Sequence, residues 1–228
     1  MKLLSKSNFK LLKGEKLGYL TLGLSLAPHK MSGVNLCPHA SAGCAAACLF
    51  SAGMGVFANV AAARVAKAKF FNENPAAFLA QLEKEIAAGV KRAAKLGQIL
   101  AIRLNVLSDV AWERFGIIQK FPNVQFYDYT KNPFRALQFA QGKLPVNYHL
   151  TFSRSEDNQQ AVENVAAAGV NVAVVFAGKT LPQTYLGKSV VSGDESDLRF
   201  LDAKNVIVGL SSKGKAKKDE SGFVVNVN

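Results

Sequence analysis

The chain has 228 residues, with 28 Lys and Arg against 16 Asp and Glu, giving a formal charge of +12. Its 49% hydrophobic and 19% charged residues exclude a disordered or fibrous chain and are enough for one sizeable core. The cationic excess favours anionic partners (nucleic acid, nucleotides or anionic small molecules), and no stretch approaches the roughly 20 apolar residues of a membrane-spanning helix.

The first thirteen residues mix Lys2, Lys6, Lys10 and Lys13 into short apolar pairs. They show neither a continuous apolar stretch nor a small-residue cleavage site, so no signal peptide is read and a cytoplasmic protein with reduced thiols is expected. Residues 19–26 form an apolar run broken by Gly23 and read as a first strand. A loop holding all three cysteines follows. An Ala-rich helical stretch over 56–96 comes next, divided at Asn74-Pro75 because proline starts a helix more easily than it continues one.

From residue 99 onward, β-branched runs alternate with helical patterns. The expected strands are 99–106, 124–129, 148–152, 172–176, 189–191 and 206–210. The expected helices are 111–120, 133–141, 157–168 and 196–201, the third ending at Gly169. This rhythm predicts an α/β fold: a single barrel of βα units, or a partial TIM-like barrel, of about seven parallel strands with the cysteine loop after the first strand. An open doubly wound sheet is the alternative. One domain spans 1–228, with 15–98 carrying the first strand, cysteine loop and helices, 99–213 the βα repeats, and 214–228 a basic C-terminal segment.

The cysteine loop reads Cys37-Pro-His-Ala-Ser-Ala-Gly-Cys44-Ala-Ala-Ala-Cys48, a Cys-x6-Cys-x3-Cys spacing among small residues. Clustered thiolates in a reducing compartment hold metal or do redox work. Small neighbours let the backbone wrap a bulky cubane and donate N–H groups to its sulfides. The expectation is therefore a [4Fe–4S] cluster on Cys37, Cys44 and Cys48, with one iron left open. Structural zinc completed by His39, a disulfide with a spare thiol, and three plain buried cysteines are the competing readings. His39 is also the candidate fourth cluster ligand.

If the strands are parallel, polar residues at their carboxyl ends converge near that loop. After the second strand come Asn105, Ser108 and Asp109; after the third, Asp128, Tyr129, Thr130, Lys131 and Asn132. His149 precedes the fourth strand's core, and Ser153, Arg154, Ser155 and Glu156 follow it. Gly193, Asp194, Asp197 and Arg199, then Ser211, Ser212 and Lys213, complete the set. Asp109, Asp128, Lys131 and Asp194 are the candidate catalytic groups, although Asp109 and Asp157 also suit helix caps. Arg103, inside an apolar run, is expected to meet a carboxylate such as Asp128 or Asp194, because a buried charge without a partner is costly. No Ser-His-Asp elbow motif and no phosphate-cradling glycine loop is present.

The segments Cys37-Pro-His-Ala-Ser-Ala-Gly-Cys44, Arg103-Leu-Asn-Val-Leu-Ser-Asp109, Phe126-Tyr-Asp-Tyr-Thr-Lys-Asn-Pro133, Gly193-Asp194, Val208-Gly-Leu and Lys213-Gly-Lys-Ala occur in this order. In this set of motifs the chain resembles the phage gene product 88 family over most of its length. The resemblance implies a phage-encoded protein working in bacterial cytoplasm and supplies no reaction. The cysteine loop after a first strand is also similar to radical-SAM enzymes. The spacing departs from their Cys-x3-Cys-x2-Cys, and no Gly-Gly-Glu-like segment follows the second strand.

Two enzymatic uses of an open iron follow. It can act as a Lewis acid in hydrolysis, as of an ester, or in hydration of an anionic or carbonyl-containing small molecule. It can instead bind S-adenosylmethionine for radical chemistry. An electron carrier, or a nucleic-acid-binding module using the basic surface with its Lys213, Lys215, Lys217 and Lys218 run, is the non-enzymatic alternative.

Overall fold

The computed structural model describes residues 1–6 and 13–227, so Lys10 of the lysine-rich start lies outside the described residues. The strands are β1 (Leu4–Ser5), β2 (Tyr19–Leu24), β3 (Ile99–Arg103), β4 (Gln125–Thr130), β5 (Tyr148–Ser153), β6 (Val172–Phe176), β7 (Thr184–Tyr185), β8 (Lys188–Ser192) and β9 (Ile207–Ser211). The helices are α1 (Ala42–Ala46), α2 (Ala58–Glu73), α3 (Pro75–Lys95), α4 (Pro133–Ala140) and α5 (Gln159–Ala167). Asn74 ends α2 and caps α3, its side chain accepting from the Ala77 N–H, with Pro75 at the first helical position.

All seven expected strands form and run parallel, in the order β2-β3-β4-β5-β6-β9-β8. The expected barrel does not. The sheet is open and mixed: antiparallel β1 adds to the β2 edge and antiparallel β7 to the β8 edge, and neither end pairs with the other among the described residues. Closure requires the last strand to reach the first at a fixed tilt and stagger. Here β8 instead pairs on the outer side of β9, out of chain order, and carries the sheet away from β2. Helices are also missing from the β3–β4 and β8–β9 connections. Residues 112–115 and 199–201, expected within helices, make only single 3-10 turns. The doubly wound alternative is not seen either, because β2 to β6 follow one another without a switch in direction.

Alternation of side chains along each strand gives the sheet two unlike faces. Leu20, Leu24, Leu100, Ile102, Phe126, Leu150 and Val174 face the helices and build the main apolar layers with Phe78, Leu82, Ile86, Trp112 and Val165. Gly89 lets α3 lie close on the sheet: a Cβ there would come 3.1 Å from both Leu100 Cδ2 and Leu22 Cδ1. The opposite face carries Ala101, Tyr127 and Tyr19 under Leu198 and Phe200, beside Arg103, Tyr129, His149 and Thr151. The stretch between β8 and β9 supplies that cover. No helix among the described residues is long and apolar enough to cross a membrane.

Candidate functional site

The cysteine loop leaves the carboxyl end of β2 and folds back over the carboxyl ends of β3, β4 and β5. Cys37 Sγ donates to the Leu107 carbonyl at 3.5 Å, in the loop after β3. Cys44 lies inside α1, and Cys48 begins the next turn. All three are free and half-buried, and each is close enough that Cys44 and Cys48 raise the Cys37 thiol by charge repulsion and Cys44 raises that of Cys48. Burial is the main cause in both, and it pushes Cys37 up to about 11. A thiol so placed is protonated at neutral pH and is no ready nucleophile. Lys131 and Arg64 act on Cys48 in the other direction.

The loop is held by groups far away in the chain. The Glu156 carboxylate, just beyond β5, accepts the Ser41 hydroxyl at 2.7 Å and the Gly43 N–H at 2.6 Å. Ser41 in turn accepts the Cys44 N–H at 3.1 Å, so one carboxylate and one hydroxyl fix the start of the helix that carries Cys44. Position 43 is tight, because a Cβ there would run into Ser221 Oγ and come 2.8 Å from that same carboxylate, so a side chain would displace the groups that hold the loop. Arg64 of α2 donates to the Phe50 carbonyl at 2.7 Å and braces the turn after Cys48.

A roof is laid on by the last part of the chain. Ala216, Phe223 and Val224 pack with Ala47 and Cys44 against Val175 and Ala177. Val225 pairs with the end of β6 through Val225 N–H to Val175 O and Ala177 N–H to Val225 O. Arg154 donates to the carbonyls of Gly222 at 2.5 Å and Phe223 at 3.0 Å.

The predicted site residues divide into three places. Lys131 is beside the cysteines: its ammonium donates to Ser153 Oγ at 2.8 Å and lies 5.5 Å from the Phe223 ring centroid. Asp109 reaches the same corner, where its charge is felt by Cys37, but both oxygens are engaged. Oδ1 accepts from Arg135 at 2.7 Å, and Oδ2 from the Lys131 N–H and Thr130 hydroxyl. It caps no helix. Asp128 is fully buried on the helix side, accepting from Asn105 N, Asn105 Nδ2 and the Tyr148 hydroxyl, and burial pushes its carboxyl up to about 7. Asp194 sits at the β8–β9 end, paired with Lys213 and accepting the Ser211 N–H. His39 is exposed. Among the described residues no three His, Cys, Asp or Glu side chains are gathered as a single metal ion requires. A tetrahedral zinc would need its donors within about 4 Å of one another.

Arg103 meets neither expected carboxylate. Its Nη1 donates to both Asp197 carboxylate oxygens at 3.0 and 3.1 Å, and its guanidinium lies over the Tyr129 ring. Around it is a set of buried polar atoms with no hydrogen-bond partner among the described residues: the hydroxyls of Tyr127, Tyr129 and Thr151, His149 Nε2, and Arg199 Nε and Nη1. Arg199 Nη1 is 3.2 Å from Asp202 Oδ2, near enough for charge attraction but not aligned for a hydrogen bond.

Glu156, expected only as one of the strand-end polar groups, proves to hold the loop, and Arg64 is the working residue that the sequence reading placed in no role. The signal for Glu156 was its position after a parallel strand, on the same side as the cysteine loop. Arg64 stood in an unbroken helical pattern and carried no signal.

Two shallow depressions, one along Ala177–Pro182 and one between α4 and α5 at Phe134, Leu137 and Ala161, lie apart from the cysteines. No curated protein and no solved structure matches the chain. A family model described as Gene product 88 matches residues 2–227, and the ordered motifs from the cysteine loop to Lys213 fall inside that span. The chain therefore belongs to the gene product 88 family.

Proposed function

We propose that the chain holds an iron–sulfur cluster of the [4Fe–4S] type through Cys37, Cys44 and Cys48 and uses it in hydrolysis or hydration. The observation that carries this reading is the meeting of all three thiols on one loop over the carboxyl ends of parallel strands, with Lys131 and Arg64 within electrostatic reach of Cys48. Three thiol donors on one loop are the ligand chemistry of a cubane cluster. A cubane takes each thiolate at a separate corner, so its ligands stand wider apart than those of zinc. Alanines 45 and 46 beside Cys44 are small, half-buried and exposed respectively, while Ala47 packs under the roof.

When bound through three cysteines, such a cluster supplies a Lewis-acidic iron that polarises a carbonyl or activates water. The chain's own residues provide the rest. Lys131 Nζ is the cation placed to stabilise negative charge developing beside Cys48, and Ser153 fixes it through its hydroxyl. Asp109 acts as a positioning residue, holding the Lys131 backbone N–H and the Thr130 hydroxyl. Glu156 and the roof at Phe223 keep bulk water from the Cys44 side.

Anaerobic purification with iron, sulfide and zinc quantification tests the reading. About four irons and four sulfides per chain, with a broad absorption near 400 nm lost in Cys44→Ala, are expected. A colourless protein with one bound zinc would sink it. With the cluster in place, ester hydrolysis that Lys131→Met lowers without changing iron content supports the Lewis-acid use. Cluster-dependent release of 5′-deoxyadenosine from S-adenosylmethionine would replace it with radical chemistry.

A further inference from the structure

We propose that the rim of the cysteine loop is a docking face for single-stranded nucleic acid, and that the substrate of the cluster site is carried on such a strand. The second half of this proposal rests on the cluster reading; the first half does not. Residues 49–57 leave the site in two tight turns that expose Leu49 (49%), Met54 (53%), Val56 (67%) and Phe57 (54%) within nine residues. So much apolar exposure in nine residues marks a contact surface, since soluble proteins seldom leave it uncovered without use.

The lysine-rich turn Gly214–Lys218 packs directly against this stretch. A Cβ on Gly214 would come 2.9 Å from Ala52 Cβ. Lys215, Lys217 and Lys218 are exposed there, and Lys213, paired with Asp194, stands beside them. The rim therefore combines three exposed lysines of one turn with an apolar, partly aromatic strip, on a chain of net charge +12. A phosphate backbone matches the lysines, and unstacked bases match Phe57 and the methionine and valine around it. A duplex would offer phosphates to the lysines but nothing to cover the apolar strip.

The test is fluorescence anisotropy of a labelled 20-nucleotide oligo-dT with the anaerobically purified protein, across 50 to 200 mM salt. Expected is binding that weakens steeply with salt. Replacing Lys215, Lys217 and Lys218 together by Ala should lower the log–log salt slope by about 2, since each phosphate contact on a single strand contributes about 0.7. Phe57→Ala should weaken binding about tenfold while leaving that slope unchanged. The control removes the same charge elsewhere, with Lys84, Lys91 and Lys95 of α3 changed to Ala; all three are exposed. Equal slope losses in the two triple variants, displacement of the oligonucleotide by polyglutamate at matched charge, or tighter binding of a duplex would overturn the proposal. Iron content measured on the same samples separates the two readings. Strand binding without iron keeps the docking face and discards the cluster, and iron without strand binding does the reverse.

Discussion

The two faces of one pair of strands, β4 and β5, treat buried polar groups in opposite ways. Toward the helices, Asp128, Thr130 and Tyr148 join a network in which every strong group is matched. The Arg135 guanidinium pairs twice with Glu113 at 2.7 and 2.8 Å, once with Asp109, and donates to the Tyr148 hydroxyl. Asn105 is its hub: Oδ1 accepts from Ser108, from the Val110 N–H and from Trp112 Nε1, while Nδ2 donates to Asp128. One residue along on each strand, Tyr127, Tyr129, His149 and Thr151 face the other way, and each has a buried atom with no partner among the described residues. An unmet buried group costs about 1–3 kcal/mol, and one left charged costs more. The first face is a finished staple. The second leaves its donors and acceptors unmatched among the described residues.

The comparison breaks most readily at Arg135. Arg135→Ala strands Asp109, Glu113 and the Tyr148 hydroxyl in a dry site, and it should cost about 3–5 kcal/mol in urea unfolding. A loss below about 1 kcal/mol would show that this face is not held by its charges. The second effect is a pH signature. Burial raises Asp128 to about 7 from 3.8, so its contribution to stability is complete below about 3.8 and is lost as pH climbs to 7. Burial and the Arg199 charge lower His149 to about 4 from 6.5, so its contribution is complete above 6.5 and is lost as pH falls to 4. Between pH 4 and 6.5 the two slopes oppose. Asp128→Asn should leave the His149 slope alone, so that the melting temperature rises across that window more steeply than in the parent protein. An unchanged profile would remove Asp128 as a titrating group. The smallest effect belongs to the unmatched face: Thr151→Val and Tyr129→Phe delete hydroxyls that have no partner. Each should fall within about 1 kcal/mol of the parent, on either side, whereas the same deletion at Tyr148 should be clearly destabilising.

Much of the fold was legible because strands announce themselves locally. The β-branched run 172–176 and the aromatic run 124–129 became β6 and β4 with shifts of one residue at most. Closure was not legible, since nothing in the 188–192 segment says that it will pair outside β9. Leu4–Ser5 and Thr184–Tyr185 are too short to show any alternation. In the site, the cysteine spacing and the strand-end rule placed Cys37, Cys44, Cys48, Asp109 and Lys131 in one neighbourhood. The pairings themselves depend on contacts across long stretches of chain. Arg103 finds Asp197 across 94 residues, and Gly43 finds Glu156 across 113. Asp128 looked like a pocket residue because its register was unknown; one step along the strand turned it to the helices.

The roof over Cys44 has a consequence in time. Phe223 and Val224, which close that side, and Arg154, which ties them down, are all made long after the loop they cover. At synthesis rates of about 5–20 residues per second, Cys44 stays open on that side for on the order of ten seconds or more before its cover exists. Whatever enters that corner has this interval to do so without unfolding anything. On the cluster proposal, a chain released without its cluster would have to lift residues 214–225 to take one up later.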